Sequence, residues 1–89
     1  MQYDVSDLVV KTLEIDDGDI EFAIKATVQN LSDDSDVSIY IQCIDEDDFE
    51  IYSFFLDSTI TVGETDIITT RETIPYSTFQ QIKDWKVSS

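Results

Sequence analysis

Three acidic turns carry the side chains of this chain whose chemistry is easiest to name. Carboxylates in such clusters are the hard oxygen ligands that Ca²⁺ prefers, and the ion takes roughly six to eight of them. If the strands ran up and down in order, the first and third turns would lie at one end of the fold and the second turn, around Asp33–Asp36, at the other. The candidate calcium ligands are therefore Asp16, Asp17, Asp19, Asp45, Asp47 and Asp48.

A simpler interpretation treats these acids as solvated turn residues. The chain has two glycines and one proline, so its turns depend on Asp, Asn and Ser, which bond to their own backbone and tolerate tight turns. Gly18 lacks the flanking ligand pattern of an EF-hand calcium loop. We favour turn formation over calcium binding, and we expect no cofactor.

Catalytic chemistry has little support in the composition. The chain has no histidine, which excludes a Ser-His-Asp triad, a His-activated cysteine and a His-ligated zinc site. The only cysteine, Cys43, alternates with Ile39 and Ile41 and is predicted to be a buried structural thiol. Paired carboxylates resemble the acid pair of a glycosidase, but so small a domain seldom holds a cleft that buries a substrate. We expect that the protein is not an enzyme.

The charge of the chain bears on its partners. Twenty acidic residues against five basic ones give a formal net charge of −15. Such a field repels nucleic acid and anionic membranes and attracts basic proteins. The expected partner is therefore a protein, and the charge favours a basic one. The same charge also fits an acidic inhibitor that mimics nucleic acid in a partner's basic groove, or a surface charged only for solubility.

The size of the chain predicts one domain over residues 1–89. A single cysteine rules out an internal disulfide. No apolar run approaches the roughly 20 residues that span a bilayer, and the N-terminus has neither the basic region nor the apolar core of a signal peptide. We expect a cytoplasmic protein if the chain is complete and an extracytoplasmic one if it is an excised domain.

Alternation of apolar and polar residues predicts the strands. Phe22, Ile24, Ala26 and Val28 share one face, as in a half-buried strand, and strands with turn signals about every 8–12 residues are typical of all-β folds. The predicted fold is an all-β, immunoglobulin-like antiparallel β-sandwich with one short helical turn near Tyr76 to Ile82. Strands are predicted at residues 7–15, 22–28, 37–43 and 49–56, at a pair 59–62 and 65–70 around Gly63, and at 85–87.

The strand at residues 49–56 has apolar side chains on both faces. One face is expected to pack on the core, and the other either packs as well or meets a partner. The candidate partner-binding residues are Tyr52, Phe54 and Leu56. A self-associating strand of this kind leaves a monomer and a weak homodimer both open.

Three short stretches resemble the bacterial and archaeal FxLYD family of immunoglobulin-like domains, named for Phe-x-Leu-Tyr-Asp. They are Val28-x-Asn30-x-Ser32, the strand end Ile41-x-Cys43-Ile44-Asp45, and Val62-Gly63-Glu64-Thr65. The resemblance covers residues 20–70 and keeps the motif's Asp as Asp45, with other apolar residues at the three apolar positions. Asp47-Asp48 replaces the glycine usual after that Asp. The resemblance implies a non-enzymatic module, often exported or surface-attached, with residues 28–45 as the central hairpin of its sandwich.

Overall fold

Six strands and one short helix make up the computed structural model, which describes residues 2–88. The all-β prediction is confirmed, since strands dominate and the helix has six residues. No helix of the described residues has the length and apolar character to cross a membrane. The elements in chain order are β1 (Tyr3–Asp16), β2 (Asp19–Asn30), β3 (Asp36–Ile44), β4 (Glu50–Thr59), β5 (Thr65–Pro75), α1 (Tyr76–Gln81) and β6 (Asp84–Ser88).

The strands form two antiparallel sheets of three strands each. The first sheet has the order β1-β2-β5, and the second has the order β4-β3-β6. β1 and β2 form a hairpin through Asp17 and Gly18, whose positive φ angles of 50° and 83° suit an Asp-Gly turn. Tyr76 donates its backbone N–H to Gly18 O at 2.9 Å, which ties the start of α1 to this turn.

Alternation gives each sheet one buried face, and these faces share one core. Ile20, Phe22, Ile24, Ala26 and Val28 of β2 are buried together with the inward residues of β3 and β4. The Phe22 ring joins the two sheets in an aromatic cluster, with its centroid 6.2 Å from that of Phe54 and 5.4 Å from that of Trp85 in the second sheet. It also contacts Phe79 of α1 at 5.4 Å, so the short helix closes one end of the core.

The predicted central hairpin at residues 28–45 is wrong. β2 and β3 follow each other in the chain, but β2 pairs with β1 and β5 while β3 pairs with β4 and β6. Residues 31–35 therefore cross from one sheet to the other. Alternation identifies the buried face of a strand but does not identify its neighbours, and the two edges of β2 are taken by β1, its hairpin partner, and by β5.

The predicted pair around Gly63 is also wrong. β4 ends at Thr59 in the second sheet and β5 begins at Thr65 in the first, so residues 60–64 form a second crossing between the sheets. Other boundaries shift modestly: β1 begins at Tyr3 rather than at residue 7, and α1 ends at Gln81 with Ile82 as its C-cap. The predicted final strand is present as β6.

Asn30 holds the two crossings together. Its buried side-chain amide donates to Asp34 O at 2.7 Å and to Ile60 O at 2.8 Å, and Oδ1 accepts from both the N–H and the hydroxyl of Ser32. Its backbone carbonyl accepts the N–H of Gly63 at 2.7 Å. Gly63 has φ 84°, a value that favours glycine. Asn30 therefore satisfies backbone groups of both crossings. These hydrogen bonds explain why its polar side chain can be fully buried.

Candidate functional surface

The outward face of the second sheet carries an aromatic pair. Tyr40 of β3 lies directly opposite Phe55 of β4, and the two ring centroids are 5.1 Å apart at an angle of 47°. Phe55 is 56% exposed, so much of its ring is open to solvent. Asp57 follows two residues later on the same face, opposite Ser38. The alternation of β3 and β4 thus presents aromatic and acidic groups together.

Glu50 fixes the position of the Tyr40 ring. The Tyr40 hydroxyl donates to Glu50 Oε1 at 2.6 Å, and Gln42 Nε2 donates to the same oxygen at 3.0 Å. These two hydrogen bonds lower the pKa of Glu50, while the bond to the carboxylate raises the pKa of Tyr40. Glu50 is therefore ionised at neutral pH and Tyr40 is neutral. We call Tyr40, Gln42, Glu50, Phe55 and Asp57 the Tyr40 face.

The predicted partner-binding side chains lie on the opposite face of β4. Phe54 is 8% exposed and Leu56 is fully buried, so both belong to the core and are not available to a docking partner. Alternation explains the correction, because Phe54 and Leu56 share one face of the strand and Phe55 the other. The edge of β4 that faces away from β3 has no strand partner within residues 2–88.

Tyr52, the third predicted residue, joins the two sheets. Its hydroxyl donates to Glu72 Oε1 of β5 at 2.6 Å, and its ring packs against the core. Burial, followed by the hydrogen bond to Glu72, raises the pKa of Tyr52 to about 12. Its polar group is therefore satisfied by the other sheet, and its role in this structure is to connect them.

Tyr40 and Phe55 are absent from the predicted site, although the sequence held part of the signal. Tyr40 interrupts the polar side of its strand between Ser38 and Gln42, which marks an outward aromatic residue. Its apposition to Phe55 depends on the pairing register of β3 and β4 and on the irregularity between Cys43 and Ile44. That register is a property of the turn between the strands, which alternation alone does not predict.

The acidic turn after β3 uses its first carboxylate to hold its own backbone. Asp45 Oδ1 accepts the N–H groups of Asp47 and Phe49, both at 2.9 Å. Asp48 has a φ of 67° and its carboxylate lies 3.2 Å from Lys86 Nζ. The role of Asp45 and Asp48 as turn-formers is thus visible in the hydrogen bonds and backbone angles of the turn.

The two turns predicted to supply calcium ligands lie in different concavities. Asp16, Asp17 and Asp19 line one that is formed by the β1–β2 turn, while Asp45 and Asp47 line another beside residues 80–83. Residues 76–83, which include α1, run between the two turns. The backbone N–H of Tyr76 donates to Gly18 O at 2.9 Å, and that of Lys83 donates to Ile44 O at 2.8 Å. Within residues 2–88, no three acidic or cysteine side chains are grouped closely enough to hold a metal ion.

The cysteine is a core residue. Cys43 is fully buried on the inward face of β3, as predicted. Burial raises the pKa of its thiol to about 12, and the carboxylates of Glu50 and Glu72 act in the same direction. The thiol is therefore protonated at neutral pH, whereas a nucleophilic cysteine needs its thiolate.

The acidic charge is largely uncompensated at the β1–β2 turn. Glu14 lies directly opposite Glu21, and Asp16 opposite Asp19, in the strand pairing. Like charges in these positions destabilise a hairpin. The contact between Lys86 and Asp48, with both side chains exposed, is the one ion pair in the described part of the chain.

Comparison of the chain with protein-family models, with curated proteins and with solved structures finds no match.

Proposed function

We propose that the protein is a non-catalytic protein-interaction module with an immunoglobulin-like arrangement of strands. The strand orders β1-β2-β5 and β4-β3-β6 support this, because they correspond to the A-B-E and C′-C-F strands of such folds. The position of Asp45 at the end of β3, where it organises a turn, is compatible with membership of the FxLYD family.

The Tyr40 face is the observation that carries this proposal. Phe55 exposes more than half of its surface, and its neighbour Tyr40 donates its hydroxyl to Glu50, whose same oxygen also accepts from Gln42. Aromatic residues on a rigid sheet lose little conformational entropy when a partner covers them, which is why they are enriched at binding surfaces. We assign the binding function to this face.

The test compares two exposed apolar residues on the two sheets. Phe55→Ser removes the aromatic anchor, while Ile67→Ser changes a side chain that is equally exposed, at 56%, in β5 of the first sheet. The proposal predicts a protein from the native source that binds the wild type and Ile67→Ser but is lost with Phe55→Ser. Equal binding to both variants would place the interaction elsewhere.

An acidic inhibitor is the second candidate, favoured by the like-charged pairs of the β1–β2 turn. Glu14 lies opposite Glu21, and such a like-charged pair, which costs stability in the free protein, fits a surface that meets a basic groove. This function predicts that Glu14→Gln/Glu21→Gln weakens the binding of a DNA-binding protein or nuclease. Unchanged inhibition or binding with this double variant would exclude the turn as the mimic.

A further inference from the structure

We propose that the Tyr40 face binds an arginine side chain of a protein partner, with the guanidinium placed over the Phe55 ring, on a face that also carries the carboxylates of Glu50 and Asp57. This inference rests on the proposed function and deepens it by naming the chemistry of the partner. It is carried by an exposed aromatic ring and two carboxylates on the same outward sheet face.

The aromatic pair offers a ring surface to a cation. Tyr40 occupies one side of Phe55, at 5.1 Å, and the exposed remainder of the Phe55 ring faces solvent. A cation above an aromatic face is attracted by the ring quadrupole, and arginine is found there more often than lysine. An apolar segment would also cover this ring, but it would strip water from the two carboxylates without pairing them.

Glu50 has an oxygen available for such a cation. Both of its hydrogen bonds within residues 2–88 end on Oε1, so Oε2 is open to a ligand. Asp57 flanks the ring on the other side and is exposed. A guanidinium donates several N–H groups in one plane, and that plane stacks on a ring while its edge meets carboxylates. The ammonium of lysine can lie over a ring or pair with a carboxylate, but it has no plane that does both at once.

The overall charge selects among occupants of this face. A second copy of the chain would bring another formal −15 against the first. Such repulsion opposes self-association, whereas the same field attracts an arginine-bearing segment from a distance. Charge complementarity therefore favours a basic protein segment over a homodimer at this surface.

Two peptides of equal charge separate arginine recognition from simple attraction. Isotopically labelled protein is titrated with a ten-residue Gly-Arg repeat and with the matching Gly-Lys repeat, and backbone amide shifts are followed by NMR. The inference predicts that the shifts concentrate at residues 40–42 and 53–57. It also predicts that the arginine peptide binds roughly 5-fold more tightly than the lysine peptide, the scale of one cation–π contact.

Variants show whether the ring carries this preference. Phe55→Ser should reduce the arginine peptide's affinity about 5-fold and abolish its advantage over lysine, whereas Ile67→Ser should leave both affinities within about 2-fold. Tyr40→Phe keeps the ring but releases Glu50, and should weaken the arginine peptide less than Phe55→Ser does. Thermal unfolding of each variant identifies any that fails to fold.

Three outcomes would overturn the inference. The first is equal affinity for the two peptides, and the second is shifts spread over the acidic turns with no effect of Phe55→Ser. Either would mean that the peptides are held only by nonspecific attraction to the negative charge of the protein. A Phe55-dependent protein partner that binds without arginine would also overturn it, while leaving the proposed function intact. If no partner depends on Phe55, the proposed function itself fails.

Discussion

Phe54 and Phe55 are neighbours with the same side chain, yet one is 8% exposed and the other 56%. Phe54 faces the core with Leu56, near the ring of Phe22. Phe55 faces solvent beside Tyr40, among polar and acidic groups. The difference teaches that β4 has two separate roles, because its inward residues stabilise the fold while its outward residues form the surface to which we assign binding.

Replacing Phe54 should have the largest effect on stability. Phe54→Ala leaves a cavity beside Phe22 and is expected to lower the free energy of unfolding by about 3–5 kcal/mol, whereas Phe55→Ala removes an exposed cross-strand aromatic pair and should lower it by about 1 kcal/mol. Chemical denaturation of both variants measures the contrast. Similar losses for the two would mean that the outward face also packs against protein.

Removing Asn30 should be the next most damaging change. Asn30→Ala removes the donor to the buried carbonyl of Ile60, whereas Asp34 O is part-exposed and keeps the Ser32 hydroxyl as a donor. A buried group left unsatisfied costs about 1–3 kcal/mol, and the bonds that Ser32 makes to Asn30 Oδ1 are lost as well. We expect a loss of about 2–4 kcal/mol in the free energy of unfolding. Asp45→Ala is the matched control, since it removes an exposed turn acceptor and should cost about 1 kcal/mol. Equal losses in the two variants would show that burial of the Asn30 amide does not increase its contribution to the free energy of unfolding.

The sequence predicts the buried faces of the strands better than it predicts the Tyr40 face. Alternation predicts the inward residues of β2 and β3 and the buried state of Cys43, because each strand's pattern reports its own exposure. Pairing partners depend on the crossings held by Asn30, whose hydrogen bonds join residues 30 positions apart. The Tyr40 face depends on the pairing of two strands, which the alternation within either strand does not predict.

The Tyr52–Glu72 bond provides a pH test of the inward face. The folded protein raises the pKa of Tyr52 from its ordinary 10.0 to about 12, so it favours the neutral phenol. The stability this contributes is fully present below pH 10 and is lost as pH rises from about 10 to 12. Tyr52→Phe should cost about 1 kcal/mol at neutral pH and flatten that decline. An identical alkaline decline in the variant would assign it to other groups, among them Tyr40.

Salt should have the smallest effect on stability. It screens the repulsion between charged side chains but leaves the packing of the core unchanged. Screening of like charges such as Glu14 and Glu21 is expected to raise the melting temperature by a few degrees between about 0.01 and 0.5 M NaCl. Glu14→Gln/Glu21→Gln should reduce this salt dependence at the β1–β2 turn. A melting temperature that falls with salt would contradict the expectation that repulsion between acidic side chains is the main electrostatic contribution to stability.

Covalent footprinting of the aromatic side chains tests the two roles of β4 most directly. Hydroxyl radicals are applied to the protein alone and with a bound partner, and the oxidation of Phe54, Phe55 and Tyr40 is read by mass spectrometry. We predict that free Phe55 reacts readily, that Phe54 does not, and that a partner protects Phe55 and Tyr40. Protection elsewhere with Phe55 still reactive, or low reactivity of Phe55 in the free monomer, would contradict the account.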